Sequence, residues 1–161
     1  MAEKESIKQL IRATRLIVIA RGMEPQRMLD AAEALYAGGV RLLECTFHHW
    51  REDCEQANCR LISALAERFS GRMQIGAGTV LTVREAEAAV DAGASFLISP
   101  GADEKVIVRT REMGAVSIPA FLKSGVSGFG VGGSILSGAA TGDLNSITEM
   151  ARAYVQAVQG C

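Results

Sequence analysis

AGGVRLLECTF, residues 37–47, is the stretch that decides the fold. Two glycines separate the end of a helical pattern from an apolar strand. A glycine just past a helix supplies the left-handed turn that sends the chain back to a sheet. RLLECTF is then nearly continuous in apolar residues, as a strand covered on both faces requires. The same punctuation recurs at AGAS (92–95), MGAV (113–116) and SGVS (124–127), each followed by an apolar strand.

Outward from this stretch the alternation continues. SIKQLIRAT (6–14) places Ile7, Leu10 and Ile11 on one face of a short amphipathic helix. LIVIAR (16–21) reads as a strand, and Pro25 opens a helix that Gly38 and Gly39 end. Further strands are expected at 73–80, 95–100, 115–120 and 128–134, with helices at 51–69, 83–92, 103–113 and about 145–158. This order implies an α/β domain built on a parallel sheet. An open doubly wound sheet carries its glycine loop after the first strand. Here ARGMEP follows the first strand and GVGGS (130–134) comes at the last one, which favours a TIM (β/α)8-type barrel.

The barrel does not close by counting. The interval from Gly114 to Gly125 is 11 residues, and a parallel crossover with its helix needs at least about 10–12 between strands. Between Ala120 and Gly128 there are seven, and PAFLKSG (119–125) resembles the last turns of a helix without its beginning. A complete barrel normally takes at least about 200 residues. The expectation is one domain over 1–161, an incomplete barrel of about six strands. Units around strands six and seven are missing, with an apparent junction near residues 119–121. A six-stranded open sheet with one short irregular connection is the alternative.

Composition narrows the function. Net charge is −1, so nothing steers the chain toward nucleic acid or an anionic membrane. No apolar run approaches the ~20 residues of a membrane span, and MAEKESIKQL lacks the apolar core of a secretory signal. Cys45, Cys54, Cys59 and Cys161 form no CxxC pair and have no histidine at zinc-ligand spacing. Free thiols in a reducing cytoplasm, with no metal, are expected.

Glu44 interrupts an apolar strand. Period-two alternation groups Leu42, Glu44 and Thr46 on one face and Leu43, Cys45 and Phe47 on the other. With the bulky set against helices, Glu44 points into the barrel and Cys45 belongs to the core. A buried carboxylate must be paired, protonated or both, and one with a raised pKa is a useful proton shuttle. The alternative is a structural ion pair with Arg21, which could equally bind a carboxylate or phosphate. GAGTV (76–80) offers Thr79 as a donor to a substrate carboxylate, or is simply a tight turn. Gly130, Gly132, Gly133 and Ser134 fall where barrels often bind phosphate through backbone N–H groups. His48, His49 and Trp50 open the loop after the Glu44 strand; exposed histidines there are solvated or contact substrate. The lysines are Lys4, Lys8, Lys105 and Lys123, and none is expected on a strand. A Schiff-base lysine must be desolvated inside the barrel.

AGGVRLLECTF, GAGTVLT, DAGASFLISPG, SIPA and GFGVGGSIL resemble, in order and spacing, segments of the 2-keto-3-deoxy-6-phosphogluconate (KDPG) / 4-hydroxy-2-oxoglutarate (KHG) aldolase family. The resemblance implies a (β/α)8 barrel, usually trimeric. It also implies cleavage of 2-keto-4-hydroxy acids to pyruvate and an aldehyde through a lysine Schiff base, without a cofactor. Small-molecule keto acids and aldehydes are the implied partners. By resemblance Glu44 is the general acid/base, Thr79 holds the pyruvyl carboxylate, and Pro100 lines the pocket. Gly132, Gly133 and Ser134 form half of a phosphate site, and Arg21 matches an arginine present in part of the family. His48 stands where the family usually has a carboxylate-binding arginine. The segment between SIP and FLKSG that would carry the Schiff-base lysine is absent, so negligible aldolase activity is expected. A non-catalytic phosphate or 2-oxo-acid binder and a phosphosugar isomerase or epimerase are the other readings.

Overall fold

The computed structural model describes residues 2–101, 103–119 and 129–159. Its elements run α1 (Ala2–Thr14), β1 (Leu16–Ala20), α2 (Pro25–Ala37), β2 (Leu42–Thr46), α3 (Cys54–Arg68), β3 (Gln74–Gly78) and α4 (Val83–Asp91). β4 (Phe96–Ser99), α5 (Glu104–Glu112), β5 (Val116–Pro119), β6 (Phe129–Val131) and α6 (Leu144–Gln159) follow. A 3-10 turn at Ser137–Ala140, which the sequence pattern did not announce, precedes α6. Lys123, Gly125 and nearly all of the short connection that failed to fit a βα unit lie outside the described residues.

The six strands form one parallel sheet in the order β5-β4-β3-β2-β1-β6. The last strand lies beside the first, as it does where a barrel closes. β5 and β6, consecutive among the strands, are the two edges of the sheet. The glycines act as expected at the helix ends. Gly39, Gly93 and Gly114 all have positive φ, at 100°, 104° and 89°, a conformation that costs residues with a Cβ.

Strand alternation divides the apolar residues into two layers. Leu16, Val18, Leu43, Cys45, Ile75, Ala77 and Leu97 face the helices, in one core with Met28, Leu35, Ile62, Leu65 and Ile147. Cys45 is fully buried there, as expected. Leu42, Phe96 and Val116 occupy the other face, with Ile17, Ile98 and Ile118 partly buried beside them. α1 packs Ile7 onto this second cluster, with Leu10 and Ile11 alongside, which explains the apolar stripe of a helix that precedes the first strand. Gly76 makes the layer possible, because a Cβ there would meet the ring of Phe96.

Gly38 caps α2 against α6, where an added Cβ would strike the Ala151 side chain and come 2.7 Å from the Thr148 carbonyl oxygen. Backbone cannot yield cheaply at that contact. Gly38→Ala is expected to destabilise the fold by about 1–3 kcal/mol, the usual cost of overpacking, read from the midpoint of urea unfolding.

Candidate functional site

Each candidate side chain follows from where the strands end. In a parallel sheet all C-terminal strand ends lie on one rim, which is where barrels of this class build their sites. Arg21, His48, Thr79 and Pro100 come directly or nearly directly after β1, β2, β3 and β4, and Gly132 after β6. The topology therefore gathers all of them at one end of the sheet.

Glu44 sits within β2 on the face away from the helices and is 4 % exposed. Its register partner on β3 is Gly76, and Thr46 is opposite Gly78. A Cβ at Gly78 would overlap the Glu44 carboxyl, so the glycine creates the space that the carboxyl fills. Thr46 Oγ1 donates to Glu44 Oε1 at 2.9 Å. Burial pushes the Glu44 pKa above the ordinary carboxylate value. The Thr46 hydroxyl and the positive charge of Arg21 pull it part of the way back. The alternative of a direct Glu44–Arg21 ion pair is not realised. Arg21 is exposed and makes no salt bridge among the described residues. It acts on Glu44 only through its field.

Thr79 has φ 57°. A β-branched residue in the left-handed region is uncommon and costs of order 1–3 kcal/mol, the kind of strain that clusters at functional sites. Thr79 follows Gly78 immediately, and Val80 N–H donates to the Ile98 carbonyl at 3.2 Å. The half-buried Thr79 is thus held at the rim beside the strand that accommodates Glu44.

The two histidines are placed differently. His49 Nε2 lies 3.0 Å from Glu85 Oε1. Glu85 Oε2 also accepts from the Leu81 and Thr82 N–H groups at 2.7 and 3.1 Å, and Thr82 Oγ1 accepts from Glu85 N–H. His49 therefore ties the loop after β2 to the capping box that starts α4. The sequence contained the T-x-x-E pattern of that box at 82–85, but nothing local indicated that a histidine 36 residues away would reach it. His48 is half-buried. Its N–H donates to Cys54 Sγ at 3.0 Å, and its ring meets Trp50 edge-on at 6.0 Å. Its Nδ1 is buried without a hydrogen-bond partner among the described residues. Trp50 itself is 86 % exposed.

Pro100 is exposed just beyond β4. Gly132 lies against β1, where a Cβ would be 3.6 Å from the Ile19 carbonyl oxygen, and Gly133 faces open space. Ser134 Oγ and the Tyr154 hydroxyl are 2.9 Å apart, which joins the glycine turn to α6. No group of three or more His, Cys, Asp or Glu side chains converges to hold a metal among the described residues. No described helix is long and apolar enough to cross a membrane.

Comparison with known proteins gives this rim a context. A family model described as KDPG and KHG aldolase matches residues 7–127. A 2-dehydro-3-deoxy-phosphogluconate aldolase of Treponema pallidum is 31% identical over 114 residues, which are 71% of this chain and 51% of that protein. The KHG/KDPG aldolase of Escherichia coli K12 is 34% identical over 96 residues, 60% of this chain and 41% of that protein. The chain thus spans about half the length of the curated relatives it matches. Among solved structures, the KDPG aldolase of Legionella pneumophila, captured with pyruvate as a covalent carbinolamine, superposes with TM-score 0.74 at 20% identity. That alignment covers 90% of this chain and 96% of the other. The KDPG aldolase of Zymomonas mobilis ZM4 superposes with TM-score 0.71 at 18% identity, covering 94% and 96%. Both are likenesses of fold.

The raised pKa of Glu44 makes stability depend on pH with a definite sign. Between the unfolded and folded values, the folded state holds the proton more often than the unfolded state. Stability therefore falls as pH rises through that window. Glu44→Gln removes the ionisable group and keeps the shape. Urea unfolding at pH 4 and pH 7 should show the variant gaining on the parent at the higher pH; an equal difference at both would mean that burial leaves Glu44 unshifted.

Proposed function

The chain belongs to the KDPG and KHG aldolase family, and on that premise we propose that its strand-end rim is the pyruvate-side half of a class I aldolase site. The observation that carries the proposal is the buried Glu44 carboxyl, held by Thr46 and given room by Gly78, on the face of the parallel sheet away from the helices. Class I aldolases move protons to and from the leaving hydroxyl and the enamine carbon. A carboxyl whose pKa is raised by burial is suited to that exchange, directly or through a water. In the proposed roles Glu44 is the acid/base. Thr79, His48 and Arg21 hold the carboxylate end of a 2-oxo acid, Pro100 forms a wall, and Gly132, Gly133 and Ser134 hold a phosphate through backbone N–H groups. The substrate class is 2-keto-3-deoxy-6-phosphogluconate or 4-hydroxy-2-oxoglutarate, and the family's trimer is the proposed assembly.

The proposal includes a missing part. An eight-stranded barrel needs two strands between the edges that β5 and β6 present here. The strand order supports the reading that two βα units are lacking at residues 119–121. No lysine lies on a strand among the described residues. Lys8 is on α1 beside Glu5, and Lys105 is exposed in the first turn of α5. An amine in either place lies in solvent, whereas a Schiff-base lysine must be desolvated inside the site.

The 161-residue chain is therefore expected to bind a 2-oxo acid without forming a Schiff base. Incubation with pyruvate and borohydride, read by intact mass, should give no adduct. A stoichiometric pyruvyl adduct would refute the missing-amine part of the proposal.

A further inference from the structure

The turn that carries Thr79 is held in a conformation that its side chain resists. Thr79 has φ 57°, and such strain persists only where the surroundings over-determine the backbone. On either side of Thr79 the neighbouring strands do this. Phe47 N–H donates to the Gly78 carbonyl at 2.9 Å, and Val80 N–H donates to the Ile98 carbonyl at 3.2 Å. The next two N–H groups, of Leu81 and Thr82, donate instead to one side-chain oxygen, Glu85 Oε2, at 2.7 and 3.1 Å.

The two oxygens of Glu85 are used differently. A capping box needs one acceptor on its glutamate, which Oε2 provides. Oε1 is surplus to the box, and His49 Nε2 lies 3.0 Å from it. A carboxylate only accepts, so the imidazole donates its Nε2 proton. Phe47 sets the ring, stacking with it at 6.1 Å and an interplanar angle of 29°. Phe47 is itself buried. One anchored residue therefore aims His49 and, through its N–H, also fixes the Gly78 carbonyl.

The preceding residue, His48, lines a cavity of about 510 Å³ together with Gly22 and Thr46, a volume in the range of small-molecule sites. Thr46 is also the residue that holds Glu44, so this cavity is part of the strand-end site. His48 and Thr79 come from different loops, after β2 and after β3. Among the described residues, the His49–Glu85 contact is the side-chain hydrogen bond that joins residues 47–53 to residues 79–85.

We propose that His49 and Glu85 are positioning residues, whose contact fixes the Thr79 turn against the His48 loop and so sets how tightly the rim takes the carboxylate end of a 2-oxo acid. This role rests on the reading of the rim as a 2-oxo-acid site. Neither side chain needs to touch the ligand. What His49 supplies is a donor at Nε2, and any side chain that places a donor at the same reach supplies it equally.

The test uses the whole chain and two variants. His49→Leu keeps an apolar contact with Phe47 and has no donor; His49→Gln carries an amide N–H of similar reach. Calorimetric titration with pyruvate should show affinity reduced about tenfold in His49→Leu and held within about twofold in His49→Gln, the effect of one hydrogen bond to a charged group. Amide exchange at Leu81 and Thr82 should quicken by about tenfold in His49→Leu alone, with Val80 unchanged. Urea midpoints of the two variants should agree. The positioning role is overturned if the parent binds pyruvate and both variants bind it alike, or if exchange at Leu81 and Thr82 is the same in all three proteins. It is also overturned if His49→Leu is much less stable than His49→Gln, which would make the contact a structural one. A parent that never saturates with pyruvate sinks the reading of the rim itself, and this role with it.

Discussion

The site depends on one buried contact, the Glu44 carboxyl on the inner face of β2, accepting the Thr46 hydroxyl and occupying the space that Gly78 leaves empty. Placing a carboxyl in that position costs free energy unless it holds its proton or a partner. The fold supplies one neutral hydrogen bond and a distant arginine rather than a contact ion pair. A direct pair would fix the group as a carboxylate. A single hydroxyl leaves its protonation adjustable, and that property fits an acid/base rather than a structural anion.

The surrounding architecture can be traced to the same inner face. Gly76 and Gly78 are two residues apart on β3, and each makes room for a neighbour, Phe96 in one case and Glu44 in the other. Toward the N-terminal side of the sheet the face is apolar and closed by Ile7 of α1. Toward the C-terminal rim it becomes polar through Glu44, Thr46 and the strained Thr79. The His49–Glu85 contact then joins the loops that follow β2 and β3, so the segments carrying His48 and Thr79 are held together rather than free to drift.

Much of this was legible in the sequence because it rests on short-range patterns. Glycines just past α2, α4 and α5, continuous apolar strands and period-two alternation placed the elements to within a few residues and put Glu44 on the inner face and Cys45 on the outer. The 114–125 interval, too short for a βα unit, falls between β5 and β6, which are the two edges of the sheet. What stayed hidden depends on contacts between distant segments. No local rule shows that Thr79 takes a left-handed conformation, or that His48 and His49 part company, one toward a cavity and the other onto a helix cap. The bond between Ser134 and Tyr154 joins a turn to a helix 20 residues later and leaves no periodic trace.

The account stands on the protonation of one side chain. A carbon-13 titration of the glutamate carboxyls, with Glu44 assigned through Glu44→Gln, reads it directly. The account predicts a Glu44 pKa above the ordinary carboxylate value of 4.5, rising further in Thr46→Val. A Glu44 resonance that titrates with the exposed glutamates and ignores Thr46 would contradict it.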